Sequence, residues 1–166
     1  SYTLTVEAIT QDPDGVNLYG TQANIVSLAV YAQAPAITNV ATISGDRSGS
    51  ISWSTPTGAA LGGATFQNYL VEVSTNGTSY VTVNSPSIID ASGTTTLTLA
   101  NLTNGTPYFY RITVVTAAGS GVASIVRVSP ISRPTAPAIT NSSIGSGTAS
   151  VTWSAPSDNG GLVITG

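Results

Sequence analysis

Residues Leu97 to Val114 read LTLANLTNGTPYFYRITV, two alternating apolar segments joined by a polar turn. Leu97 and Leu99 share one parity, and Tyr108, Tyr110, Ile112 and Val114 share another. Period two is the mark of strands buried on one face. Between the segments, Asn104-Gly105 reverses the chain. Tyr108 closes the corner, where a large ring can be buried while its hydroxyl returns to a nearby backbone group. The stretch therefore predicts a crossing from one antiparallel sheet to a second sheet packed against it.

Working outward, Trp53 sits in Ile51-Ser52-Trp53-Ser54-Thr55-Pro56, and Phe66 to Val73 alternates about Tyr69. At these residues the sequence resembles a fibronectin type III repeat. The family pattern has a second-strand Trp followed by Pro, a third strand with a core Tyr, and a Leu, a short turn and a Tyr six residues on. The resemblance implies an all-β fold of immunoglobulin-like Greek-key β-sandwiches. It also assigns structural roles to Trp53, Tyr69, Leu102, Tyr108, Tyr110 and Trp153. Such domains serve mostly as spacers or binding scaffolds, and a fold does not fix an activity.

Repeats set the organisation. Ala34-Pro35-Ala36-Ile37-Thr38-Asn39 recurs as Ala136-Pro137-Ala138-Ile139-Thr140-Asn141, and Trp53-Ser54-Thr55-Pro56 recurs as Trp153-Ser154-Ala155-Pro156. The two Trp residues are 100 positions apart and the two Pro residues, Pro35 and Pro137, are 102 apart, about one sandwich domain. Tyr2 to Ala8 aligns with Tyr108 to Val114, and Gly160 to Gly166 with Gly62 to Asn68. We therefore expect the last two strands of one domain at 1–33, a complete domain at 34–133 and the first two strands of a third at 134–166. Strands are expected in the complete domain near 36–43, 48–54, 66–73, 79–84, 95–100, 107–116 and 122–129, with turns at Gly45 to Gly49, Gly62-Gly63, Asn76-Gly77 and Gly119 to Gly121. The linkers at 33–35 and 133–137 are short and carry Pro, which stiffens them. Two-strand remnants expose an apolar face and unpaired edges. An excerpt of a longer repeat protein accounts for both ends, and strand exchange between copies is the alternative.

Composition narrows the function. Only 7% of the 166 residues are charged, against about 25% in ordinary globular proteins, and Ser and Thr supply the surface polarity. Four Arg residues and no Lys give a net charge of -3, with no basic stripe to neutralise phosphates, so nucleic acid is not an expected partner. The absence of Lys also excludes Lys–Asn isopeptide bonds, and the absence of Cys excludes a disulfide framework. No apolar run approaches the roughly 18 residues of a membrane span.

Little here can perform chemistry. With no His, Cys or Lys, a hydroxyl nucleophile lacks its usual base. The carboxylates are Glu7, Asp12, Asp14, Asp46, Glu72, Asp90 and Asp158, and no pair is expected to face across a groove as glycoside hydrolysis requires. No enzyme activity is expected. Gln11 to Asn17, QDPDGVN, resembles the opening of a calcium loop, with Asp12, Asp14 and Asn17 as oxygen ligands. It lacks the closing bidentate Glu, and a Pro-Asp-Gly turn accounts for the same residues on backbone grounds. No other cofactor is expected. An integrin-type Arg-Gly-Asp is absent, Gly45-Asp46-Arg47 being a reordered relative. Asn-X-Ser/Thr sequons start at Asn76, Asn101, Asn104 and Asn141. Tyr19, Tyr31 and Tyr80 fall outside core positions and are the candidate contact aromatics.

The expected function is a structural shaft or spacer in a long secreted or cell-surface repeat protein of bacterial type, such as a stalk, fibre or adhesin. The expected partners are other copies of the same protein, with a glycan or surface receptor as a further candidate. The alternatives are a ligand-binding module using loops at the sandwich end, or a non-catalytic spacer in a carbohydrate-active enzyme or phage-tail protein.

Overall fold

The computed structural model describes residues 2–28, 30–83 and 94–165. Asp90 and the last residue of the strand expected at 79–84 lie outside them. In chain order the strands are β1 (Tyr2–Val6), β2 (Ile9–Gln11), β3 (Asn17–Tyr19), β4 (Ala23–Leu28), β5 (Thr38–Gly45), β6 (Ser48–Ser54), β7 (Phe66–Ser74), β8 (Val81–Thr82), β9 (Thr94–Leu99), β10 (Tyr108–Thr116), β11 (Gly119–Val128), β12 (Ala138–Gly145) and β13 (Thr148–Ser154). A short 3-10 turn covers Gly58–Leu61.

Residues 34–83 and 94–130 form a β-sandwich. One sheet has the order β5-β6-β9 and the other β11-β10-β7-β8, with antiparallel pairing throughout. Register follows the parity read from the sequence. Val114 lies opposite Tyr69, Ile112 opposite Val71 and Tyr110 opposite Val73, so all six project from one face of their sheet. Ile51 lies opposite Leu97 on the facing sheet. These faces meet around Trp53, which is fully buried and stands edge-on to Tyr69 with ring centroids 5.2 Å apart. Phe66 packs on the other side of Tyr69 at 5.0 Å. The Trp53 Nε1 and the Tyr69 hydroxyl are buried without a hydrogen-bond partner among the described residues, and these rings contribute through area and edge-to-face contact.

The corner forms as its residues require. Leaving β9, the chain takes a left-handed turn at Asn101 (φ 57°) and a second at Gly105 (φ 80°). Leu102 is buried, and its N–H donates to the Arg47 carbonyl at 3.0 Å. The Thr103 N–H donates to the Tyr108 hydroxyl at 3.0 Å, and the Gly105 N–H to the Pro130 carbonyl at 2.9 Å. The corner's donors are thus spent on three separate parts of the sandwich.

Several boundaries differ from expectation, each for a local reason. The first strand of the sandwich begins at Thr38, not at residue 36, because the entry segment pairs with the other sheet: the Ala34 carbonyl accepts from the Val122 N–H at 2.9 Å. The last hairpin turns at Ala117-Ala118, and Gly119 already belongs to β11. Thr116 caps that turn, its Oγ1 accepting from the Ala118 N–H and donating to the Gly119 carbonyl. Gly121 sits where a Cβ would come within 2.6 Å of the Ala34 carbonyl oxygen, so it permits the entry segment to approach. The two strands expected at 1–33 are each broken in two. β1 pairs with β4 and β2 with β3, and the Gly20 N–H reaches the Ala8 carbonyl at 2.8 Å across the break.

The hairpin β12–β13 reproduces β5–β6, including a register shift near its start. Trp153 is 65% exposed where Trp53 is 0%, as a two-strand remnant leaves its apolar face. No second sheet lies over it among the described residues, and burial depends on that facing sheet.

Two outcomes follow for the sandwich. Tyr108→Phe removes the acceptor for the Thr103 N–H and should cost about 1–2 kcal/mol in urea unfolding with the fold unchanged. Burial, with a smaller contribution from Tyr108, pushes the Tyr110 phenol up to about 12 from its usual 10.0. The folded state then keeps a proton that the unfolded chain releases. Stability should hold below pH 10 and fall as pH rises from 10 to 12, by up to about 1.4 kcal/mol per pH unit. Tyr110→Phe should flatten that decline, as read by urea unfolding across the same range.

Candidate functional site

The loop at 11–17 is a closed turn. The Gly15 N–H donates to the Asp12 carbonyl at 3.0 Å, the i to i+3 bond of a β-turn with Pro13 at its second position. One Asp12 carboxylate oxygen, Oδ1, accepts from the Asp14 N–H at 3.0 Å and the Val16 N–H at 2.8 Å. Asn17 Oδ1 accepts from Gln11 Nε2 at 3.4 Å. Two of the three candidate calcium ligands thus have oxygens engaged within the turn, while the Asp14 side chain is exposed. Among the described residues no group of three or more acidic side chains gathers as a metal site.

The candidate aromatics are separated in the fold. Tyr19 is 63% exposed at the end of β3, and Tyr31 is 47% exposed just before the first linker. Tyr31 borders a small cleft with Gln33 and Ser120. Tyr80 is half-buried. Its ring lies beneath the Arg111 guanidinium, 4.4 Å from the centroid, and its hydroxyl is buried without a partner among the described residues. Arg111 also makes a two-pronged bond to Glu72, 2.7 Å from each nitrogen to a carboxylate oxygen. That hydrogen bond, more than the charge alone, holds the Glu72 carboxyl below its ordinary pKa and raises that of Arg111. Tyr80 is therefore a platform for an internal cation and offers less surface than Tyr19 or Tyr31.

The outward face of β6 and β9 carries Ser50 opposite Thr98 and Ser52 opposite Thr96, hydroxyls alone with no charge. On β13 the matching positions are Ser150 and Thr152, with Ser150 2.7 Å from Ser143 across the hairpin.

A cleft of about 850 Å³ lies where the corner, the β5–β6 turn and the second linker meet. Asp46, Arg47, Asn104, Arg133 and Asp158 line it. Its hub is Asn104, which the sequence presents as a turn residue and the start of a sequon. Asn104 Oδ1 accepts from the Arg47 N–H at 2.8 Å, and Nδ2 donates to Asp46 Oδ1 at 2.8 Å and to Ser132 Oγ at 3.1 Å. Asp158 Oδ1 is taken by the Gly160 N–H at 2.8 Å. Acidic and basic groups are balanced in this cleft, and its hydrogen bonds join segments of the chain to one another.

Among the described residues, no helix is long and apolar enough to cross a membrane. The family model for the fibronectin type III domain matches residues 34–129. No curated protein gives a significant match. Among solved structures, the crystal structure of the chicken CNTN1 FN1–FN3 domains is similar at 18% identity and a TM-score of 0.40, over 90% of this chain and 52% of that one. The chain thus spans about half the length of that neighbour. Domains of this type are commonly structural spacers or binding modules, generally non-catalytic and usually extracellular. With more than half of its 166 residues inside the matched span, the chain belongs to the fibronectin type III family.

Proposed function

We propose that the chain is a shaft segment of a long, secreted or cell-surface protein, bacterial in type, built from tandem fibronectin type III domains. One observation carries this reading: β12–β13 repeats β5–β6 in register shift, in the Trp-Ser-x-Pro strand end and in its hydroxyl face, with an apolar side that nothing covers among the described residues. In the complete sandwich the corresponding side is closed by β10 and β7. A third domain would close over Trp153 in the same way. Its role is mechanical: each sandwich buries its own core, and repetition sets length and reach. The uncharged Ser and Thr faces suit lateral contact between copies, since little like-charge repulsion opposes it.

Trp53 and Trp153 are the chain's two tryptophans, which makes the reading testable by fluorescence. In the 166-residue chain, one Trp should be quenched readily by iodide, and Trp153→Phe should remove that component. In native full-length material, the corresponding Trp should be protected and its emission shifted to shorter wavelength. Electron micrographs of that material should show rods that lengthen by one sandwich per hundred or so residues of chain. A compact full-length particle with Trp153 still open to quencher would overturn the reading.

A further inference from the structure

We propose that the loop end of each sandwich is a docking surface for the glycine-glycine loop of the domain that follows. This backbone seat, rather than the proline linker, fixes the angle between neighbours. The inference rests on the tandem reading above only where it extends to further copies, since both instances lie within this chain.

The first instance joins the first linker to the Gly62-Gly63 loop: the Ala32 N–H donates to the Gly62 carbonyl at 3.0 Å. The second instance repeats it, the Ser132 N–H donating to the Gly160 carbonyl at 2.9 Å. Gly62 and Gly160 share a left-handed conformation, φ 66° and 68°. A Cβ on either would stand 2.1 Å from the carbonyl oxygen of its linker partner, Ala32 or Ser132. Both the φ value and the space therefore require glycine.

The two loops reach this position by different routes. From Pro56 to Gly62 the chain passes through the 3-10 turn Gly58–Leu61. From Pro156 to Gly160 it is two residues shorter, and the Asp158 carboxylate caps the turn instead. Loops of unequal length that place the same two glycines against the same linker position point to the contact, and not the loop, as the constrained feature.

At the second joint the preceding domain's corner completes the seat. A Cβ on Gly161 would lie 2.2 Å from the Gly105 nitrogen, and one on Gly105 would lie 2.9 Å from the Gly161 Cα, so two glycines meet backbone to backbone. Asn104 secures the receiving side through Arg47, Asp46 and Ser132, and the Thr135 N–H closes on the Asp158 carbonyl at 2.9 Å. The recognition rule is an Asn-Gly corner on one domain and a Gly-Gly loop on the next.

Amide hydrogen exchange on the full 166-residue chain tests this. The Ala32 and Ser132 amides should be protected in the unaltered chain. Gly160→Val should lower protection at Ser132 and Thr135 by about tenfold or more, with Ile112, Val71 and Ala32 unchanged, and Gly62→Val should do the same at Ala32 alone. Because a valine could disturb its own hairpin, Asn104→Ala attacks the seat from the complete domain, and it should weaken Ser132 beyond any loss at Ile112. Free exchange at Ser132 in the unaltered chain, or variants in which Ser132 falls no further than Ile112, would overturn the proposal. A compact full-length particle in micrographs would count against the shaft alone and leave the Ser132 result standing.

Discussion

A sandwich of two sheets must move its chain from one sheet to the other without stranding backbone donors, because an unpaired buried N–H costs as much as a lost hydrogen bond. The corner at Asn101 to Tyr108 meets that constraint, and the rest of the structure depends on it. The Tyr108 hydroxyl takes one donor, the β5–β6 turn takes a second and the exit from β11 takes a third. Each acceptor belongs to a different part of the fold, so closing the corner also fixes the first hairpin and the last strand. The same loop then turns Asn104 outward to hold the linker. A local problem of hydrogen bonding thus becomes the link between the core and the joint.

The sandwich was legible wherever a residue's environment is set by its near neighbours along the chain. Alternation in β7, β9 and β10 placed Tyr69, Leu97 and Ile112 on inner faces, and the spacing from Leu102 to Tyr108 marked the crossing. Trp153 carries the same motif as Trp53 and is exposed, since no facing sheet covers it among the described residues. The reading stopped where the deciding partner is distant. The turn at Ala117-Ala118 has no Gly or Asn to announce it, and the Thr116 hydroxyl does the capping. Ala34 pairs across to β11 through a contact 88 residues away. Of the candidate sites, the Asp12 turn could be read from Pro-Asp-Gly. Tyr80's position under Arg111 and Asn104's three long-range bonds could not be read, since their partners come from other strands and loops.

Scarcity of charge shapes what such a chain can use to hold its parts in place. Four Arg residues serve 166 positions, and Arg111 is engaged on the sheet surface with Glu72 and Tyr80. Arg47 and Arg133 border the joint cleft with Asp46 and Asp158, but a hydrogen bond that spans the joint runs between backbone groups, from the Ser132 N–H to the Gly160 carbonyl, with the Asn104 amide bracing Ser132. Exposed ion pairs are screened by salt and contribute little, whereas a carbonyl seated against a glycine is held by sterics as well as by a hydrogen bond. A joint built this way keeps its angle across ionic strengths.

That choice has a geometric consequence. An angle set by long side chains varies with their rotamers, while one set by backbone contact at a fixed φ repeats from joint to joint as closely as the backbone does. Gly62 and Gly160 agree within 2° in φ, and Gly63 and Gly161 likewise, at 83° and 85°. Small, equal rotations between neighbours accumulate along a tandem array into a regular superhelix. In such an array, rigidity along the length would come from the loops at the sandwich ends and would leave the hydroxyl faces of the sheets free.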